Sequence, residues 1–133
     1  MTKVGIGLLV TVVIVGAGWL ALFALSGDTD EVDGDVATVD GVCDAARAAG
    51  TDVAAARDVF FDLAHDGLHD LADRATNVDR TVAGELLRDK EQVEGLLDGA
   101  TPPEQLRLAL LHLHESTAAA AVAVGAPEPE GCS

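Results

Sequence analysis

A run of 22 residues from Val4 to Leu25 contains no charged side chain, and it constrains the chain more than any other feature. At about 1.5 Å per residue, a helix over this run would be roughly 33 Å long. The hydrocarbon core of a bilayer is about 30 Å thick, so the run is typical of a transmembrane helix. We therefore expect these residues, including Leu9, Ile14 and Trp19, to span a membrane.

The flanking charges predict the orientation of this helix. Lys3 precedes the run, whereas the segment from Ser26 to Asp35 contains acidic residues and no basic one. Because positive charge stays on the cytoplasmic side, residues 1–3 are expected in the cytoplasm and the remainder outside. The alternative is a signal peptide that is cleaved near Ser26. Since the apolar run is longer than the about 7–15 residues usual for a signal peptide, we favour a retained anchor. Either interpretation exports residues 27–133.

The exported part carries a large acidic excess. Residues 27–133 contain all 23 acidic residues and seven of the 8 basic ones, which gives a formal charge of −16. This charge repels nucleic acid, anionic lipid and polyanionic substrates, so no nucleic-acid partner is expected. It suits a basic partner, a cationic ligand, a divalent metal ion, or simply solubility. A segment of this length is one small domain.

The two cysteines, Cys43 and Cys132, both lie in the part that is expected outside. In an oxidising compartment such a pair most simply forms one disulfide, which here closes a loop of about 90 residues. The alternative is a thiolate metal site, which usually requires cysteines that are closer in sequence or more numerous. Neither cysteine belongs to a Cys-x-x-Cys pair, so redox catalysis and covalent haem attachment are not expected.

Beyond the apolar run, the sequence predicts a linker and then helices alone. Residues 26–36 are acidic and rich in glycine, which favours a flexible linker. Residues 37–133 show the apolar spacing that is typical of helices, without a hairpin pattern. The expected fold is therefore all-α: one transmembrane helix, the acidic linker, and a three- to four-helix antiparallel bundle closed by one disulfide.

Four helices are predicted in the bundle, with end signals for three of them. Asp79 and either Thr51 or Asp52 are expected to cap the third and the second helix. Thr101 and Glu104 have the spacing of a capping box before the fourth. The predicted helices cover, in order, about residues 36 or 39 to 49, 52–75, 80–97 and 102–124. The second is expected to bury Val53, Ala56, Phe60, Leu63, Ala64, Leu68, Leu71 and Ala75.

The strongest candidate for a chemical site is the pair His65 and His69. Two histidines four residues apart lie on one face of a helix and can share a metal ion. With the nearby carboxylates of Asp62 and Asp73, this face could hold zinc or copper(II). The alternatives are a solvated or partner-facing polar strip and, for His65, packing against a neighbouring helix. Gly67, between the histidines, favours a close approach of another helix.

No other pattern in the sequence indicates catalysis. His112 and His114 are two residues apart and point to different faces of a helix, with His114 expected at the edge of the core. Glu115 gives a spacing similar to di-iron bundles, but the inward glutamates that such a centre needs are missing. There is no nucleophile elbow and no glycine-rich phosphate loop. We therefore do not expect an enzyme.

The segments from Val59 to Ala72 and from Leu86 to Glu94 resemble small exported or membrane-anchored helical proteins of actinobacteria. Those proteins also bracket the domain with an early and a terminal cysteine, as Cys43 and Cys132 do here. The resemblance covers about residues 40–132. It implies an exported single domain, and it implies no activity because those proteins have no assigned function.

Together these features predict a single-pass membrane protein whose extracytoplasmic bundle is an interaction or accessory module. It would belong to a larger membrane or envelope complex. The expected partners are the membrane and another membrane or envelope protein, without a cofactor. The alternative is a zinc- or copper-binding protein of the cell envelope that uses His65 and His69, with Asp62 or Asp73 assisting.

Overall fold

A computed structural model describes residues 29–133 of the chain. The predicted membrane segment, from Val4 to Leu25, lies outside the described residues. Within the described residues, Val32–Ser133 form one compact helical domain. Over residues 29–133, no helix combines the length and the apolar character that crossing a membrane requires.

The described part of the chain consists of five helices joined by turns, with no strand between residues 29 and 133. The bounds are 29–49 for α1, Val53–Leu63 for α2, His65–Thr76 for α3, Arg80–Asp98 for α4 and Pro103–Ala123 for α5. Helices α3, α4 and α5 contact one another, and α2 contacts α3. Because short turns join α3 to α4 and α4 to α5, the two helices of each of these consecutive pairs run in opposite directions within the bundle. The predicted all-helical bundle is thus confirmed for this part of the chain.

Helix α1 includes most of the segment that was expected to be a linker. Residues 29–36 are helical, so the flexible linker predicted for residues 26–36 is wrong over that range. The carboxylate of Asp35 is buried and forms an ion pair with the guanidinium of Arg74 on α3. Beyond it, Thr38, Val39 and Val42 are buried at helical spacing. This acidic segment is therefore part of a helix that has one buried face, although its composition is typical of a linker.

The long second helix predicted by the sequence is interrupted at Ala64, which separates α2 from α3. Ala64 has φ −120° and ψ −38°, outside the helical range for φ. Its amide still donates to the carbonyl of Phe60 at 3.0 Å, and its carbonyl accepts from the amide of Leu68 at 2.9 Å. Leu63, which was expected in the core, is 54% exposed. The interruption thus turns Leu63 outward while Phe60 and Leu68 stay buried.

The caps agree with the sequence at two helices and differ at the third. The carboxylates of Asp52 and Asp79 accept hydrogen bonds from the first amides of α2 and α4, which confirms both as caps. The capping box before α5 is wrong. The hydroxyl of Thr101 donates to the carbonyl of Leu96 at 2.7 Å, and Glu104 pairs with Arg107 instead. The start of α5 therefore has no side-chain cap.

The core is built almost entirely from aliphatic side chains, with a disulfide at one end. Cys43 on α1 and Cys132 in the tail form the predicted pair, with their Cα atoms 5.4 Å apart. The pair ties the C-terminal tail to α1 across a sequence separation of 89 residues. The largest fully buried side chains are Phe60, Leu68, Leu71, Leu86, Leu106, Leu110 and Leu113.

Gly67 marks a close approach of α3 to α1, as its position in the sequence indicates. A Cβ atom at Gly67 would overlap the side chain of Thr38, whose hydroxyl is buried and donates to the carbonyl of Gly34. Alanine at position 67 is therefore expected to lower the free energy of unfolding by about 1–3 kcal/mol. Urea unfolding followed by circular dichroism measures this change.

Gly84 in α4 provides a matched control, because a Cβ atom there would meet nothing within 4 Å. Gly84→Ala is expected to stabilise the domain by roughly 0.5–1 kcal/mol through helix propensity alone. Thr38→Ala combined with Gly67→Ala is expected to recover part of the lost stability, since it removes the overlapping hydroxyl. Equal effects of alanine at positions 67 and 84 would contradict the close approach.

Candidate metal site

The predicted histidine pair lies where α3 packs against α4. His65 is the first residue of α3, and His69 follows one turn later. Glu94 on α4 faces them, so that one ligand atom from each of these three residues lies within 4.8 Å of the others. We call these three residues the His65–His69–Glu94 cluster. The interruption at Ala64 positions it, because α3 begins immediately after that residue.

The geometry of the cluster leaves both ring nitrogens of His65 next to carboxylates. Its Nε2 lies 3.0 Å from Oε1 of Glu94, and its Nδ1 lies 3.1 Å from Oδ1 of Asp66. The ring of His69 stands edge-on to that of His65, with 4.8 Å between the ring centroids. His65 and Glu94 are partly buried, whereas His69 is exposed. The cluster is therefore open to solvent on the His69 side.

Glu94 is held in place by a buried lysine. The Nζ of Lys90 donates to Oε1 of Glu94 at 2.6 Å, and Lys90 is only 4% exposed. Lys90 occupies the buried face of α4 between Leu86 and Val93. Neither residue of this ion pair was among the predicted site residues. The signal was available, because a lysine four residues before a glutamate on an apolar stripe indicates a partly buried pair.

Asp62 and Asp73, the predicted assisting carboxylates, do not join the cluster. Both are exposed: Asp62 lies on α2 before the interruption at Ala64, and Asp73 lies further along α3. The carboxylate of the cluster comes instead from Glu94. The structure therefore brings His65 and His69 together as predicted, with Glu94 next to them in place of Asp62 and Asp73.

The second histidine pair separates as the sequence predicts. His112 is exposed, with its Nδ1 3.8 Å from Oε2 of Glu115. His114 is buried at the edge of the core, and burial lowers the pKa of its imidazole. The carboxylates of Glu115 and Asp40 and the backbone of Glu130 act on this pKa in the opposite direction. His114 lies beside the disulfide, since a ring nitrogen and the two sulfur atoms are within 4.8 Å of one another.

An open groove of about 840 Å³ runs between α5 and the C-terminal tail. Glu115 on α5 and Glu128 in the tail contribute carboxylates to it, and His114 and Cys132 also line it. The solvent side of α5 carries more apolar side chains than is usual for a bundle helix that already buries another face. We call this side the outer face of α5. Its apolar residues are Leu108, Leu111, Ala118, Ala119 and Val122, and the exposed polar residues Glu104, Gln105, His112 and Glu115 lie among them.

Comparison of the chain with known protein families, with curated proteins and with solved structures finds no match.

Proposed function

We propose that this domain binds a divalent transition-metal ion, Zn²⁺ or Cu²⁺, through His65, His69 and Glu94. The observation that carries the proposal is the convergence of three ligand atoms from two helices within 4.8 Å. Imidazole and carboxylate ligands suit both ions. Three protein ligands would leave a coordination position open to water or to a further ligand.

The surroundings of the cluster support cation binding in two ways. The carboxylate of Asp66 lies next to Nδ1 of His65, and such a contact orients a histidine so that its other nitrogen faces the metal. The exported part has a formal charge of −16, which attracts cations to its surface. Lys90 opposes cation binding at the cluster, because its ammonium group competes with a metal ion for the carboxylate of Glu94.

The proposed location is the outer face of a membrane. The uncharged run from Val4 to Leu25 and the charges on either side of it support an anchored orientation with the domain outside. The pairing of Cys43 with Cys132 is in keeping with an oxidising compartment. A domain held in this way would meet metal ions at the cell envelope before they enter the cell.

The proposal is tested by titrating the full-length chain, purified in mild detergent, with Zn²⁺ and Cu²⁺ in a calorimeter. The wild type is expected to bind one ion with micromolar or tighter affinity and to unfold at a higher temperature when loaded. His65→Ala combined with His69→Ala should abolish both effects. His112→Ala is the matched control, since it removes an exposed histidine on α5. Wild-type protein that binds neither ion, or a double variant that binds as well, would refute the proposal.

Lys90→Met is expected to strengthen metal binding. The substitution removes the positive charge from Glu94 and replaces it with a side chain of similar length. Two like charges about 4 Å apart repel by several kcal/mol at partly buried sites, so we expect zinc affinity to rise on the order of tenfold or more. Arg88→Met on the same helix removes an exposed charge and controls for net charge. Equal affinities of the two variants would contradict this role of Lys90.

The second candidate function is the interaction or accessory role, and the outer face of α5 favours it. Leu108 and Val122 are 49% and 46% exposed on a helix whose opposite face is already in the core. We infer that this face receives a cationic amphipathic helix of another membrane or envelope protein. The apolar residues of this face would pack against the partner helix, and Glu115 and Glu128 would pair with its basic residues.

This role is tested by purifying the full-length chain in mild detergent after cross-linking in cells. Val122→Asp is expected to lose a companion protein that the wild type retains. Val78→Asp is the control, because Val78 is 64% exposed and belongs to the turn before α4 and not to α5. The absence of any companion, or one that Val122→Asp retains equally, would contradict the role. So would a contacted segment of the companion without basic residues.

A further inference from the structure

The second group of potential ligand atoms, at the disulfide, takes no part in the proposed function. Cys43 lies on α1, His114 lies on α5 and Cys132 lies in the C-terminal tail. The two sulfur atoms and a ring nitrogen of His114 nevertheless lie within 4.8 Å of one another. Ligand atoms bonded to a tetrahedral zinc ion at about 2.0–2.3 Å have to lie at comparable distances from one another.

His114 contributes a nitrogen that the rest of the described structure does not use. The residue is 7% exposed, and its Nε2 is buried without a hydrogen-bond partner among the described residues. Buried polar atoms in folded proteins almost always have a partner. An unpaired imidazole nitrogen in the same region as two sulfur atoms is therefore a second indication of a ligand site.

The site is also accessible from outside. The groove between α5 and the tail has a volume of about 840 Å³ and is lined in part by His114 and Cys132. Cys132 is only partly buried, whereas Cys43 is 5% exposed. A small thiol or a metal ion can therefore approach the disulfide at Cys132.

We propose that the reduced form of this protein binds a thiophilic metal ion, Zn²⁺ or Cu⁺, through Cys43, Cys132 and His114. A dithiol reduces the disulfide, so that the sulfur–sulfur bond between the two cysteines breaks. The dithiol gives up two electrons and two protons and becomes a disulfide, and Cys43 and Cys132 take them up and become thiols. The metal then binds the two thiolates and the imidazole, and the two thiol protons are released. Two cysteines and one histidine with an open fourth position form a ligand set that zinc uses in proteins.

The full-length chain in mild detergent, carrying His65→Ala and His69→Ala to silence the other cluster, tests this site with Co²⁺ as the probe. The chain is reduced with dithiothreitol, the dithiothreitol is removed in the absence of oxygen, and the chain is titrated with Co²⁺. The reduced chain is expected to show a near-ultraviolet thiolate-to-cobalt band and intense visible bands of tetrahedral cobalt. The oxidised chain should show neither band.

His114→Ala is expected to weaken cobalt binding at least about tenfold, and His112→Ala should leave it unchanged. Cys132→Ser is a second variant, chosen because it changes only the C-terminal tail and leaves the helices intact. It should abolish the thiolate band. Circular dichroism confirms the helical content of each variant. The proposal is overturned if the reduced chain gives no thiolate band, or if His114→Ala binds cobalt as tightly as the His112 control.

Discussion

Phe60→Ala is expected to lower the free energy of unfolding by about 3–5 kcal/mol, the largest effect that we expect from a single core substitution. Phe60 is fully buried and is the largest side chain of a core that otherwise consists of leucine, valine and alanine. Its removal leaves a cavity that small aliphatic neighbours do not fill by changing rotamers. Urea unfolding followed by circular dichroism measures the loss.

Phe61→Ala is the matched control, because the neighbouring ring is 38% exposed. Its ring lies 5.3 Å from the guanidinium carbon of Arg57, a contact that contributes about 0.5–1 kcal/mol at exposed sites. We therefore expect a loss of about 1 kcal/mol, far below that of Phe60→Ala. Similar losses for the two variants would mean that Phe60 does not dominate the core.

Replacing both cysteines with serine is expected to lower the free energy of unfolding by about 2–4 kcal/mol. The Cys43–Cys132 pair spans 89 residues and holds the C-terminal tail against α1. Without the bond, the unfolded chain gains the conformational freedom of a long loop, which favours unfolding. In a small domain with a light core, this is a large share of the stability.

Wild-type protein unfolded under reducing conditions, without added metal, should match the serine variant. Agreement shows that the effect comes from the covalent bond and not from the serine side chains. An unfolding midpoint that is unchanged in the serine variant would contradict a structural role for the bond. A wild type insensitive to reductant would contradict it as well.

The features that the sequence predicts correctly depend on residues close to one another in the chain, or on the small number of cysteines. Asp52 and Asp79 cap their helices because the carboxylate and the amides that it accepts from are adjacent in sequence. The pairing of Cys43 with Cys132 follows from there being only two cysteines. The helical region after residue 37 follows from its apolar spacing.

The features that the sequence does not predict depend on contacts between helices. The interruption at Ala64 has no proline or glycine at or beside it. It lies where α1 passes close by, since a Cβ atom at Gly41 would be 2.8 Å from the carbonyl oxygen of Leu63. Asp35 is buried because Arg74 of α3 pairs with it, and the composition of the segment contains no sign of that partner.

The candidate site divides in the same way. His65 and His69 share a helix, so their spacing alone predicts that they lie together. Glu94 is on α4, 25 residues after His69, and its position opposite the histidines depends on how α3 and α4 pack. A helical projection indicates Asp62 and Asp73 as the assisting carboxylates, because it places residues around one helix and ignores the neighbouring helices.

The zinc affinity of Glu94→Gln, measured by calorimetry on the full-length chain, tests most directly whether a metal ion is held between α3 and α4. Glutamine keeps the size of the side chain and removes the carboxylate ligand. We predict that Glu94→Gln weakens zinc binding at least about tenfold, whereas Asp62→Asn and Asp73→Asn leave it unchanged, with circular dichroism confirming that each variant is folded. Wild-type affinity in Glu94→Gln, or a loss confined to the Asp62 and Asp73 variants, would contradict a metal site at the His65–His69–Glu94 cluster.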